Sequence, residues 1–212
     1  MSGAPEWGAV LDVHFVILGA VIASVGMLSY LRDTIRGVTQ PNRVTWLMWA
    51  LAPLIAFAAE VQAGVGLRSL MTFVVGFWPL AILVGSFFGR GSAVWRLGPF
   101  DWLCGALSVA GLIAWLVTRH GDVAVIASIA ADLLAATPTL RKSWTAPDSE
   151  SSSAYWTAAL NALITVLTIE HFTIADSAFP LYILVIASVE TALVAGRIGP
   201  RLAARQALSR SG

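Results

Sequence analysis

Seven apolar stretches, each about as long as a bilayer is thick, leave this chain few folds to choose from. A helix needs roughly 20 mostly apolar residues to cross about 30 Å of hydrocarbon. Val10 to Leu31, Val44 to Val65, Ser69 to Gly89, Leu97 to Thr118, Asp122 to Arg141, Tyr155 to Phe172 and Asp176 to Arg197 all approach or exceed that length. The polar joints between them are too short for a soluble domain; the longest runs around Pro147 to Ser153 and reads as a flexible loop. With 58% hydrophobic and 12% charged residues and a mean hydropathy of +0.79, the chain cannot cover a soluble globule with polar side chains. The expected fold class is an all-α integral membrane protein with seven transmembrane helices.

The basic residues predict the orientation. Arg32, Arg36, Arg43, Arg90, Arg96, Arg141, Lys142, Arg197, Arg201, Arg205 and Arg210 fall on one side, against Arg68 and Arg119 on the other. Positive charge is retained on the cytoplasmic face, so the N-terminus, carrying Glu6 and Asp12, is expected outside and the Arg-rich tail inside. The first apolar run is too long, and its leading flank too acidic, for a cleaved signal peptide. The expected location is integral to a cell membrane, the bacterial inner membrane. The tail RIGPRLAARQALSR reads either as an interfacial helix on anionic lipid or as a disordered anchor. Cys104, the single cysteine, offers neither a disulfide nor a thiol cluster and reads as packing.

The stretch from Tyr30 to Trp46 reads as a partial copy of the stretch from Ala131 to Trp156. Each carries Thr, an aliphatic residue and Arg (Thr34-Ile35-Arg36, Thr139-Leu140-Arg141), then Pro with a polar follower (Pro41-Asn42, Pro147-Asp148), then a Trp opening an apolar run. Beyond Trp46 and Trp156 the match continues through Ala52 and Ala162 to Glu60 and Glu170. An internal duplication follows. A three-helix unit exits on the side opposite its entry, so one extra helix restores a parallel second copy, giving two parallel triple-helix bundles in a 3+1+3 arrangement. The expected divisions are an extracytoplasmic N-terminus (1–9), a first repeat (10–89), a linker helix (90–121), a second repeat (122–197) and a basic cytoplasmic tail (198–212).

Within this apolar chain two acids stand out. Asp132, near the middle of its span, and Glu190, about two thirds along the last, each cost several kcal/mol in a bilayer unless they face a cavity, bind a proton or find a partner. Both helices run the same way, so the two depths are expected to differ by only about 5 Å at the helical rise. Asn161 sits one turn from Thr165 on the intervening helix. The carboxylates suit a cationic substrate or a proton, or else are protonated helix-packing groups, and interhelical hydrogen bonding explains Asn161 equally well. Asp101, beside Pro99, complements a helix N-terminus. Small residues from Gly19 to Gly26 form a close-packing face, and Trp46 and Trp49 read as part of an aromatic belt. At the outer surface Glu60, His120, Asp122, Glu170, His171 and Asp176 mix types that bind zinc or pass protons with the composition of ordinary loop ends. Of these, Glu60, Glu170 and His171 are carried forward as an outer gate; no metal and no cofactor is expected.

The 3+1+3 pattern and the segment ATPTLRKSW resemble the PQ-loop and SWEET superfamily of seven-helix transporters. Thr139 stands where that family has glutamine, and Asp33 stands opposite Pro138 in the first copy. The resemblance implies a substrate path between two bundles that rock in alternating access, with Pro53 and Pro138 as hinges. Repeat transporters hold their substrate at the midplane between repeats, where Asp132, Asn161 and Glu190 are expected as the substrate- or proton-binding residues. The expected function is therefore a small-solute carrier, proton-coupled or cation-selective, whose partners are a small solute, protons and the bilayer. A homo-oligomer is compatible with it. The alternative is a receptor or assembly module on the same fold. An enzyme is not expected, since His14, His120 and His171 are scattered and no nucleophile stands beside a base. A retinal photoreceptor would need a lysine within a span, and the only lysine, Lys142, lies at a helix end. The basic residues follow the membrane rule, so no nucleic-acid partner is expected.

Overall fold

The hydropathy pattern produces helices throughout. A computed structural model of the protein describes residues 10–62, 67, 69–89, 96–118, 121–169, 172 and 174–211. Among them are α1 (Phe15–Arg36), α2 (Arg43–Gln62), α3 (Ser69–Gly85), α4 (Pro99–Thr118), α5 (Gly121–Thr145), a short 3-10 turn (Pro147–Ser149), α6 (Ser152–Leu167), α7 (Ile174–Gly196) and α8 (Ile198–Ser211), and no strand. Among the described residues two helical stretches, Phe15–Arg36 and Ser177–Gly196, are long and apolar enough to cross a membrane; Leu70–Gly85 is apolar but shorter. The basic tail, left open between helix and coil by its sequence, is the helix α8.

Side-chain chemistry moves several boundaries. α1 starts at Phe15 and not at Val10, because Asp12 accepts the His14 backbone N–H at 2.9 Å and contacts its imidazole at 2.5 Å, fixing a turn before the helix. These contacts, the backbone N–H foremost, hold the Asp12 carboxyl below the usual carboxylate range. The Val10 and Leu11 N–H groups donate instead to the Leu167 carbonyl at the end of α6. α1 runs past Leu31 to Arg36 and stops at Gly37, whose φ of 78° is the left-handed cap that glycine supplies without strain. The stretch from Pro147 to Ser153, expected as a loop, is instead the 3-10 turn and the start of α6, with Pro147 and Glu150 buried. Proline has no N–H to donate, which is compatible with the first turn of such a segment.

α1 and α2 both pack on α3, and α5 and α6 both pack on α7; α1 also meets α6, and α2 meets α5. α4 lies against α5 and α2. The α1–α6 seam closes through small residues. A Cβ added at Gly26 would lie 2.5 Å from the Ser153 carbonyl and still nearer Thr157 Oγ1, while one at Gly19 would collide with Asn161 Oδ1. The expected small-residue face on this helix is thus the contact with α6, and Ala20 and Ala23 extend it to Val74 of α3.

Tyr30, Trp46, Ile82 and Ala154 form a core cluster joined by Met27, Leu31, Trp49 and Leu83. Trp46, expected in an interfacial belt, is 1% exposed, tilted against Tyr30 at 4.9 Å and edge-on to Trp49 at 5.3 Å. Its counterpart Trp156 is 48% exposed. An amphipathic ring serves either place, so sequence position alone did not separate them.

Candidate functional site

The structure describes each of the three polar residues singled out in the sequence, and it sets Glu190 apart from Asp132. Asp132 of α5 accepts a hydrogen bond from the Tyr182 hydroxyl of α7 at 2.7 Å. Glu190, 1% exposed, lies eight residues beyond Tyr182 on α7, about 12 Å along the axis at the helical rise. It falls level with Ser143 and Lys142 of α5, not with Asp132. The expected 5 Å difference in depth is therefore too small, because α5 and α7 are offset in register. Asn161 is buried on α6 against Gly19 of α1, with its Oδ1 lacking a hydrogen-bond partner. Its neighbour Thr165 donates to the Asn161 carbonyl at 2.9 Å and lies 3.1 Å from Met71 Sδ of α3.

Pro53 and Pro138, the expected hinges, are buried inside α2 and α5, and both helices continue through them. Pro79 and Pro180 lie similarly inside α3 and α7. Of the expected outer gate, Glu170 and His171 lie outside the described residues, as does the side chain of Glu60. Among the described residues no group of three His, Cys, Asp or Glu side chains is placed to hold a metal.

The densest polar cluster is one the sequence did not announce. Lys142, counted there as a charge at a cytoplasmic helix end, is 0% exposed. Its ammonium pairs with Glu150 and donates to the Gln40 carbonyl. Glu150 Oε2 also accepts from the Tyr30 hydroxyl at 2.5 Å and from the Tyr155 hydroxyl at 2.9 Å. Beside this cluster the Gln40 N–H donates to the Ser149 carbonyl at 2.8 Å. Chain segments more than a hundred residues apart are thus tied through one buried ion pair. Glu190 adjoins it within electrostatic reach of Lys142 and Glu150 and faces the Ser143 hydroxyl, though neither of its oxygens makes a hydrogen bond of normal geometry. The one available signal in the sequence was that Lys142 is the only lysine, in a chain where arginine serves everywhere else as the interfacial cation.

The second polar tie joins the first connector to α4. Asn42 caps α2, its Oδ1 accepting from the Val44 and Thr45 N–H groups at 3.1 and 3.3 Å, while its Nδ2 donates to Asp101 Oδ1 at 2.8 Å. Asp101 Oδ2 accepts from the Gly98 N–H at 2.6 Å. Asp101 therefore sits at the start of α4 as its sequence position suggests, but it is buried and holds a second element. Asp101→Ala is expected to destabilise by about 1–3 kcal/mol, the cost of leaving the buried Asn42 amide unpaired together with a lost helix-start contact. Thermal denaturation in detergent measures it, with Trp102→Ala, whose side chain is exposed, as the neutral comparison.

No family model, curated protein or solved structure matches this chain, so its site is interpreted from residue geometry alone.

Proposed function

We propose that the chain is a membrane carrier built from two three-helix repeats, α1–α3 and α5–α7, joined by α4, and that it moves a small cationic or proton-coupled solute by alternating access. The packing supports the two-repeat reading, since each unit joins its first two helices through its third and the units meet by α1 on α6 and α2 on α5. The contacts repeat at residue level. Aligning Thr34 with Thr139 pairs Tyr30 with Ala135, and aligning Trp46 with Trp156 pairs Thr45 with Tyr155. Thr45 Oγ1 donates to the Ala135 carbonyl at 2.8 Å, and in the corresponding place Tyr155 meets Tyr30 with ring centroids 6.4 Å apart. Thr34 and Thr139 are both buried, as are Pro41 and Pro147.

The observation that carries the transport reading is Glu190, a buried carboxyl faced by the Ser143 hydroxyl but without a hydrogen bond of normal geometry at either oxygen. A group that costs this much in an apolar setting is retained for a ligand or a proton. Asp132, held by Tyr182, is the second acid on the same pair of helices. In this reading the N-terminus lies outside and α8, with Arg201 and Arg205 exposed, lies on the cytoplasmic membrane surface.

Uptake of sugars, amino acids and organic cations into proteoliposomes, with and without an inward proton gradient, tests the proposal. Gradient-dependent uptake of one class is expected, reduced at least tenfold in Asp132→Asn and in Glu190→Gln. Absence of uptake for every class, with both variants normally folded, would return the two acids to helix packing and favour a receptor or assembly role.

A further inference from the structure

We infer that Lys142, Glu150 and Glu190 form a proton-operated latch across the inner ends of the two repeats, with Glu190 as the group that carries the proton. The inference rests on the two-repeat carrier reading for its meaning in transport, but its structural claim stands on the cluster itself.

Charge counting comes first. One ammonium and two carboxyl groups share a buried volume, which leaves one uncompensated negative charge if both acids ionise. An unpaired buried charge is too costly to persist in an apolar interior, and binding one proton removes it. The hydrogen-bond inventory then says where the proton resides. Glu150 is already engaged by three donors, namely the hydroxyls of Tyr30 and Tyr155 and the Lys142 ammonium. Glu190 faces the Ser143 hydroxyl and makes no hydrogen bond of normal geometry at either oxygen, so with fewer donors than Glu150 it is the acid left to hold the proton.

The described neighbours of Glu190 can be named from each element packed against it. From α5 Glu190 faces Lys142 and Ser143, from the connector Glu150, from α6 Tyr155 and from α1 Tyr30, with Tyr182 on its own helix. Asp132 lies about two turns away beside Tyr182. Asp148 and Arg197 are exposed and pair with each other at 2.5 Å.

Loss of the proton changes the balance at Lys142. The ammonium then faces two carboxylates, and its hold on Glu150 and on the Gln40 carbonyl weakens while the two acids repel one another. Those contacts join the first connector to the second. The contacts of Lys142 with Glu150 and the Gln40 carbonyl are the closed latch; it holds while Glu190 is protonated, and with Glu190 ionised it is released and the inner ends separate.

Spin-label distance measurements test this in the full-length protein reconstituted in nanodiscs. Labels are placed at the exposed positions of Val38→Cys and Thr145→Cys, with Cys104→Ala removing the native thiol. A single short distance is expected at acid pH, giving way to a longer, broader distribution as pH rises. Glu190→Gln should hold the short distance at every pH, and Glu190→Asp, which retains a titratable group, should move the midpoint. A distance that ignores pH with Glu190 present, a pH response unchanged in Glu190→Gln, or a midpoint unmoved in Glu190→Asp overturns the latch. Uptake measured on the same samples keeps the two ideas separate. Glu190-dependent separation without uptake of any solute retains the latch and removes the carrier, whereas gradient-driven uptake with invariant distances does the reverse.

Discussion

Lys142→Met is expected to lower the unfolding free energy by about 3–5 kcal/mol, the range seen when one member of a buried ion pair is removed and the other is left without compensation. The replacement keeps the length and much of the volume of the side chain, so the loss reports charge and not a cavity. It leaves Glu150 with only its two tyrosine donors and the Gln40 carbonyl without the ammonium. Removing both charges, as Lys142→Met with Glu150→Gln, should recover more than half of that loss, because a neutral amide can still accept from Tyr30 and Tyr155. Thermal and denaturant unfolding in one detergent, read as a double-mutant cycle, gives the pair's coupling directly. Additive losses would mean that the two side chains do not interact.

Gly26→Leu should be as damaging for a different reason. Even a methyl group there would overlap the Thr157 side chain and lie 2.5 Å from the backbone carbonyl of Ser153, which cannot move without shifting the first turn of α6. The leucine side chain must push α1 and α6 apart, breaking the contact from Ser153 Oγ to the Gly26 carbonyl as well. A loss of about 3 kcal/mol or more is expected, at or above the usual range for overpacking, with Gly26→Ala intermediate. Val25→Leu, one residue away on the exposed face, is the control and should change the melting temperature little. Equal stability of Gly26→Leu and Val25→Leu would show that the α1–α6 seam is not closely packed.

The all-helical character and the approximate helix positions were legible because runs of apolar residues separated by Pro, Gly and charge carry that information locally, whereas the described residues form eight helices and not seven. What escaped was set by contacts distant in sequence. Nothing in YLRDTIRGVTQPNRVTW says that Tyr30 reaches a glutamate 120 residues later, or that the Gln40 backbone receives the only lysine. Lys142 looked interfacial because a lysine at the end of an apolar helix ordinarily extends to water; burial became legible only once Glu150 was folded back beneath it. Trp46 and Trp156 occupy equivalent places by sequence, yet one is core and the other surface, since the partner facing each position differs. The cost of Asp132 and Glu190 was legible from their placement inside apolar runs. Their separation was misjudged because depth counted from helix ends ignores the relative slide of two packed helices.

The matched contacts at Thr45–Ala135 and Tyr155–Tyr30 bear on ancestry under the proposed duplication. Two identical first halves pairing head to tail would set Thr45 against Tyr30 on both sides and would contain no equivalent of Lys142. Two identical second halves would set Tyr155 against Ala135 twice and bury two lysine–glutamate pairs, neither with the tyrosine that α1 now contributes. The donors to Glu150 come from both halves, so the present cluster cannot be assembled from either half alone. Under that duplication, divergence at Tyr30 and Lys142 would close the route back to a symmetric dimer of half-length chains.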